Sequence, residues 1–336
     1  MTGGARLGEV QDFARRCQQA GFSGLVVTEA ARTAYLACAA AALSGADLDL
    51  ATGVAVAFPR SPMVTASVAW ELAEASRGRF RLGLGTQVRA HVERRYSAPF
   101  DPPGPRMREY VLAVKAIFRA FRGEAPLAFE GRYYNLSLLP PMWSPGPISV
   151  PDPPVDVAAV NPWMLRMAGE VADGVHVHPL NTAVYYEQTL LPNLAEGHSR
   201  GGRNPSSYAL FVPLFTAAGD TEEERDRWRQ VCRTMIAFYG STPNYAFIFD
   251  QVGYEGTTAK IRERQKAGDL AGMAAVIPDE LLQHFVVRGT WDELPGLIVD
   301  RLGGIAGRAI AYFAGMAWQQ DAGWQERWGA VARALS

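Results

Sequence analysis

Short apolar runs that read as strands alternate with amphipathic runs that read as helices over nearly the whole chain, and this alternation admits few architectures. Parallel strands joined by crossover helices satisfy it; bundles and antiparallel sandwiches do not. The strands fall at 23–29 (SGLVVTE), 50–58 (LATGVAVAF), 80–85, 155–160 (VDVAAV), 175–179 (VHVHP), 208–217 (YALFVPLFTA) and 308–314 (RAIAYFA). Between them, Pro62 opens a helix in the turn where a missing amide costs nothing. The stretch 106–121 sets Tyr110, Val114, Ile117 and Phe118 on one face. Thr221 and Glu224 form a capping box, and a last helix occupies 290–305. Seven strands are one short of a closed (β/α)8 barrel, and the missing one belongs before the first helix, LGEVQDFARRCQQAG, where only MTGGAR is available. The expected fold is an α/β barrel of the TIM type with its first strand short or missing. A single domain over 1–336 is expected, with irregular insertions at about 123–154 and 240–286. The first insertion holds eight prolines between Pro126 and Pro154 and a hairpin near Glu130-Gly131.

Charge narrows the partners. With 33 Lys and Arg against 34 Asp and Glu, no field of one sign draws the chain to nucleic acid or an anionic membrane, which leaves a small-molecule substrate. Cys17, Cys38 and Cys232 are far apart and form no CxxC pair, so they read as buried thiols of a reducing compartment. There is no apolar signal core and no run of about eighteen apolar residues, so a cytoplasmic location is expected.

The stretch GRFRLGLGTQVRAHVERRY (78–96) poses the central question, because its Gly83-Leu84-Gly85 could cradle a phosphate or simply end a strand. Dinucleotide binding asks for G-x-G-x-x-G, and Val88 stands where the third glycine would be. In a barrel, residues just past a strand line the C-terminal mouth, which makes Thr86, Gln87, His91 and Arg95 candidates by position. His176 and His178 share a strand face, but no carboxylate or cysteine completes a metal site and none is expected. His176 reads as structural, while His178 at the strand end faces the pocket. Glu29 reads either as a general base or as an ion-pair partner of Arg60 or Arg95. Phe58, Tyr96, Phe100, Trp143, Tyr239, Tyr245 and Phe249 fall in or beside connections, where they would line an apolar chamber, bury loops or meet a partner subunit. Trp318, Trp324 and Trp328 in the tail would pack on the barrel or on a partner.

Several segments in order, among them VTEA, ATGVAVAFPRSPMVTASVAWELAEASRGRFRLGLGTQ, RMREYVLAVKAIFRAF, AAVNPWMLRMAGEVADGVHVHP and AFYGSTPNYAFI, resemble the luciferase-like monooxygenase superfamily, in particular its branch of coenzyme F420-dependent oxidoreductases. The resemblance runs from about residue 7 to 315. It implies an oxidoreductase, often homodimeric, holding F420 (alternatively FMN) at the barrel mouth and moving a hydride to or from an apolar substrate. Matched residue by residue, it puts a non-prolyl cis peptide near Ala55-Val56 behind the ring, Gly85, Thr86, Gln87 and His91 beneath ring and tail, and the cofactor phosphate at Ala159, Val160, Asn161 and Trp163. There a helix N-terminus favours an anion without a lysine. Arg32, Phe58, Tyr96 and Trp143 would contact substrate, and Glu29 and His178 would assist proton transfer. The sequence departs from the pattern in two places. EAARTAYL puts Arg32 and Thr33 where relatives carry an ionisable histidine-aspartate pair, and Asn161 stands where a glycine is usual. These departures keep two further readings open: a cofactor-free cyclase, isomerase or lyase, and a binding protein on the same fold.

Overall fold

Each strand is a short β-branched or leucine-rich run stopped by a polar residue, and each crossover helix starts where a side chain or proline can serve its exposed amides. The computed structural model describes residues 4–305, 307–320 and 323–336. Helix α1 (Leu7–Ala20) ends on Gly21, whose φ of 101° needs a residue without Cβ. Strand β1 (Gly24–Val27), α2 (Ala34–Ala42), β2 (Asp49–Thr52) and β3 (Ala55–Val56) follow. Ser61 caps α3 (Pro62–Ala75) by accepting from the amide of Val64, with proline in its first turn. Then come β4 (Phe80–Gly85), α4 (Arg89–Arg94) and α5 (Pro103–Arg122). The proline-rich excursion carries the expected hairpin as an antiparallel pair, β5 (Phe129–Glu130) and β6 (Asn135–Leu136).

The chain returns through β7 (Val155–Ala158), α6 (Pro162–Val171) and β8 (Gly174–His176). A short α7 (Ala183–Tyr185) passes through a π-helical turn into α8 (Leu191–Gly201). After β9 (Ala209–Ala218), Thr221 and Glu224 cap α9 (Glu222–Gly240) reciprocally, as expected. Residues 240–286 are not irregular: they fold into four short helices, α10 (Ala246–Asp250), α11 (Thr257–Lys266), α12 (Leu270–Ala275) and α13 (Asp279–Leu282). A strand the sequence did not signal, β10 (Val286–Gly289), precedes α14 (Leu294–Leu302), β11 (Arg308–Ala311), α15 (Ala314–Gln320) and α16 (Gly323–Ala334).

The strands form one parallel sheet in the order β1-β2-β4-β7-β8-β9, with β11 and β10 side by side along the far edge of the long β9 and β3 on β4. Parallel strands joined by crossover helices give the TIM-type α/β arrangement the sequence predicts. Among the described residues β1 pairs only with β2 and β11 only with β9, so a seam separates β1 from β11. The first strand is expected to be short or missing, with only residues 1–6 available for it; residues 1–3 lie outside the described residues, and 4–6 lead into α1 without strand structure. Across the seam, Arg308 reaches Asp49 at 2.5 Å. Deeper in the barrel, Arg81 holds the fully buried Asp156 through two hydrogen bonds of 2.9 and 2.6 Å. Outside, Trp70 stacks on Phe118 and meets Phe121 between α3 and α5. The tail tryptophans pack on the barrel: Trp318 on Phe13 and Phe22, Trp324 on Trp228 and Trp291, Trp328 on Trp291.

Candidate active site

Parallel strands put all their C-terminal ends on one side, and the register between β4 and β7 pairs Leu84 with Val157. Thr86 and Ala159 therefore leave the sheet side by side at the same mouth. The glycines of the LGLG run do not open space for a phosphate. A Cβ on Gly83 would collide with the carbonyl oxygen of Thr52 and come within 2.6 Å of His176 Nε2, while one on Gly85 would lie 2.5 Å from Val54 Cγ2. They let neighbouring strands approach, with Thr52 Oγ1 donating to Gly83 O (2.7 Å) and accepting from Gly83 N–H (2.9 Å). Just beyond, Thr86 donates to the carbonyl of Gln87, whose φ is 59° and whose side chain accepts from the Val88 amide.

The anion-favouring end lies next door. Asn161 caps α6, its Oδ1 accepting from Met164 N–H at 3.1 Å, and Tyr185 O–H fixes the preceding loop by donating to Val160 O at 2.8 Å. Among the described residues the amides of Val160, Asn161 and Trp163 have no protein acceptor. The Trp163 indole lies against Gly104 at the start of α5, where any Cβ would strike it. An anion met here finds backbone donors and the positive end of a ten-residue helix, with one donor already used by Asn161.

The non-prolyl cis peptide is Gly53-Val54, two residues before the expected Ala55-Val56. The packing explains the location: at residue 53 a Cβ would run into Val26 and lie 3.3 Å from His176 Nδ1, so only glycine allows the backbone this close. Ala55 and Val56 form β3, held from outside by Glu29. Its carboxylate accepts from Val56 N–H at 2.8 Å and from both Arg60 guanidinium nitrogens at 3.0 and 2.5 Å; the side chain is 5% exposed. Arg60 also donates to Val56 O at 2.9 Å. Of the two readings of Glu29, the geometry realises the ion pair with Arg60. Arg95, the other partner considered, donates instead to Ala30 O.

Arg32 and Thr33 border a cavity of about 250 Å³ between α1, the end of β1 and α2, together with Leu7, Val27 and Leu36. Phe58 is buried edge-on to Phe100, Tyr96 is half-buried and His91 is exposed. Trp143 is 79% exposed. Three residues on, Gly146 O accepts from Trp70 Nε1 at 3.0 Å. Phe249 is a core residue against Phe285.

His176 points into the barrel, stacked on Phe211 with centroids 4.5 Å apart. Its Nε2 is buried without a hydrogen bond, 3.8 Å from Asp156, so it is packed but not satisfied. His178 sits one pleat higher, against Tyr245 (4.4 Å) and Tyr239 (4.8 Å). Its Nδ1 accepts from Leu180 N–H at 3.0 Å, and burial lowers its pKa from 6.5 to about 3. With that pKa the ring is neutral near pH 7. No group of three or more potential metal ligands occurs among the described residues. Sequence reasoning missed Asn181 and Tyr185, which brace the loops after β8 and β7; Asn181-Thr182, a cap pair before an apolar run, was the available signal.

The model of the luciferase-like monooxygenase family matches residues 1–304. The chain belongs to that family. An uncharacterised Mycobacterium tuberculosis protein is 37% identical over 308 residues, covering 92% of this chain and 91% of its own. A 5,10-methylenetetrahydromethanopterin reductase of Archaeoglobus fulgidus is 27% identical over 298 residues, covering 85% and 83%. Among solved structures, the coenzyme F420-dependent tetrahydromethanopterin reductase of Methanopyrus kandleri superposes with a TM-score of 0.77 at 19% identity, over 98% of this chain and 95% of that one. The family member described here is an enzyme of the oxidoreductase class, in a family whose members use F420 or FMN. No helix among the described residues is long and apolar enough to cross a membrane.

Proposed function

We propose that this enzyme is a coenzyme F420-dependent oxidoreductase that moves a hydride to or from an apolar small molecule at the barrel mouth. One observation carries the reading: the uncommitted amides of Val160, Asn161 and Trp163, at the positive end of α6, adjoin the strand end bearing Thr86 and Gln87. The donor set fits a cofactor with a phosphate at one end and a flat ring at the other. The amides would hold the phosphate, and Thr86 and Gln87 would border the ring. The β3 segment that Glu29 and Arg60 brace would support the ring from behind. When bound, F420 supplies hydride chemistry, and the protein supplies position and field. Glu29 acts through Arg60 and Val56 as a positioning residue. Arg32 and Thr33 border the cavity between α1, the end of β1 and α2. A 26% identical relative named as a putative coenzyme F420-dependent oxidoreductase supports F420 over FMN.

The test is a fluorescence titration of the purified protein with F420 and, separately, FMN, followed by loss of reduced F420 in the presence of ketones or enones and loss of oxidised F420 in the presence of alcohols. Micromolar binding of F420 with turnover of one class is expected. Tighter FMN binding, or turnover by colourless protein with neither cofactor, would overturn the proposal.

A further inference from the structure

The loop after β8 is held more firmly than a connection on a barrel rim requires. Asn181 is 2% exposed, and its Nδ2 donates to His178 O at 2.8 Å and to Pro213 O at 3.0 Å. Its Oδ1 accepts from Tyr186 O–H, and its carbonyl accepts from the Arg301 guanidinium at 2.8 Å. These bonds fix the backbone that carries His178, and the Leu180 amide fixes its ring. A ring nitrogen that accepts a hydrogen bond carries no proton, so the neutral imidazole has its proton on Nε2. Nε2 has no protein partner among the described residues, and the residue is partly exposed at the end of a barrel strand. The rings beside it are Tyr245 and Tyr239, the latter with its hydroxyl engaged by Tyr312, and among the described residues the imidazole has no ion pair.

We propose that His178 Nε2–H is a preset neutral donor that recognises the carbonyl or hydroxyl oxygen of an otherwise apolar substrate, while Tyr239 and Tyr245 contact its carbon skeleton. This deepens the oxidoreductase reading and rests on it for the reaction. A hydrocarbon would leave the N–H unpaired, and a carboxylate would lose its hydration against a ring that offers no charge in return. The substrate class is therefore a neutral ketone, enone or alcohol. Bound F420 would supply the hydride; as a carbonyl carbon took it up, the π pair would move to oxygen and the bond donated by His178 Nε2–H would tighten. The proton that completes the hydroxyl comes from water, and Nε2 keeps its own.

The inference is testable on protein without cofactor. In histidine-labelled ¹⁵N spectra, the His178 ring is expected to show a protonated Nε2 and a bare Nδ1 from pH 8 to pH 5. Cyclohexanone at millimolar concentration is expected to shift that Nε2 while methylcyclohexane leaves it in place. A proton on Nδ1, a titration near pH 6.5, or equal response to ketone and hydrocarbon would overturn it. F420 affinity measured in parallel on wild type and His178→Phe separates the two readings. Retained F420 binding with a silent Nε2 sinks the recognition role alone, and absent F420 binding sinks the cofactor assignment alone.

Discussion

Gly83, Glu29 and His178 each show a residue whose neighbours decide its role. Gly83 has no room for a methyl group beside Thr52 and His176, so Gly83→Ala should destabilise the fold by about 3 kcal/mol or abolish soluble expression. Urea unfolding checks this, and a variant of wild-type stability would refute the packing reading. Glu29 is buried and shared between Arg60 and the Val56 amide, so Glu29→Ala should cost about 3 kcal/mol, since it strands a partly buried guanidinium. A solely catalytic glutamate would leave the unfolding midpoint unchanged. The depressed pKa of His178 carries its own pH signature, with its sign set by proton counting. Between pH 6.5 and about 3 the unfolded chain binds a proton that the native ring refuses, so this group makes stability fall as pH drops through that window. Half-buried as it is, it should contribute on the order of 1 kcal/mol of loss by pH 5, and His178→Phe should flatten that part of the stability profile. An unchanged profile would mean the ring titrates normally in the fold.

At the scale of elements, two ion pairs with similar distances are expected to differ in weight. Arg81 serves a carboxylate with no exposure, so Arg81→Ala should cost about 3 kcal/mol. Arg308 and Asp49 are 40% and 36% exposed across the seam, so Arg308→Ala should cost less than about 1 kcal/mol while speeding amide exchange in β11. Equal losses would contradict the burial argument. The same contrast explains what the sequence disclosed. Seven barrel strands were legible as short apolar runs, because parallel strands are buried on both faces, and the α3, α5 and α9 helices because burial on one face forces a period and proline or threonine marks their starts. Residues 240–286 read as irregular because four helices of four to ten residues are too short to show a period. Strand β10, VVRG, has four residues and lies beside β11 on β9, so no local pattern sets it apart from a loop. The two-residue error in the cis peptide reflects contacts from β1 and β8 that no local pattern contains.

At the scale of the molecule, a barrel in which β1 and β11 do not pair still gathers the ends of β1, β3, β4, β7 and β8 at one mouth. The account depends on backbone rather than side-chain charge for holding the cofactor, since Asn161 and Trp163 supply no positive charge. The most direct measurement compares F420 binding by Trp163→Ala, which keeps the amide, with Trp163→Pro, which removes it. Wild type and Trp163→Ala should quench or shift F420 fluorescence at micromolar concentration, and Trp163→Pro should bind at least about tenfold more weakly, the worth of one charge-assisted hydrogen bond. Equal affinity of the two variants, or no binding by wild type, would contradict the claim that the α6 amides hold the phosphate.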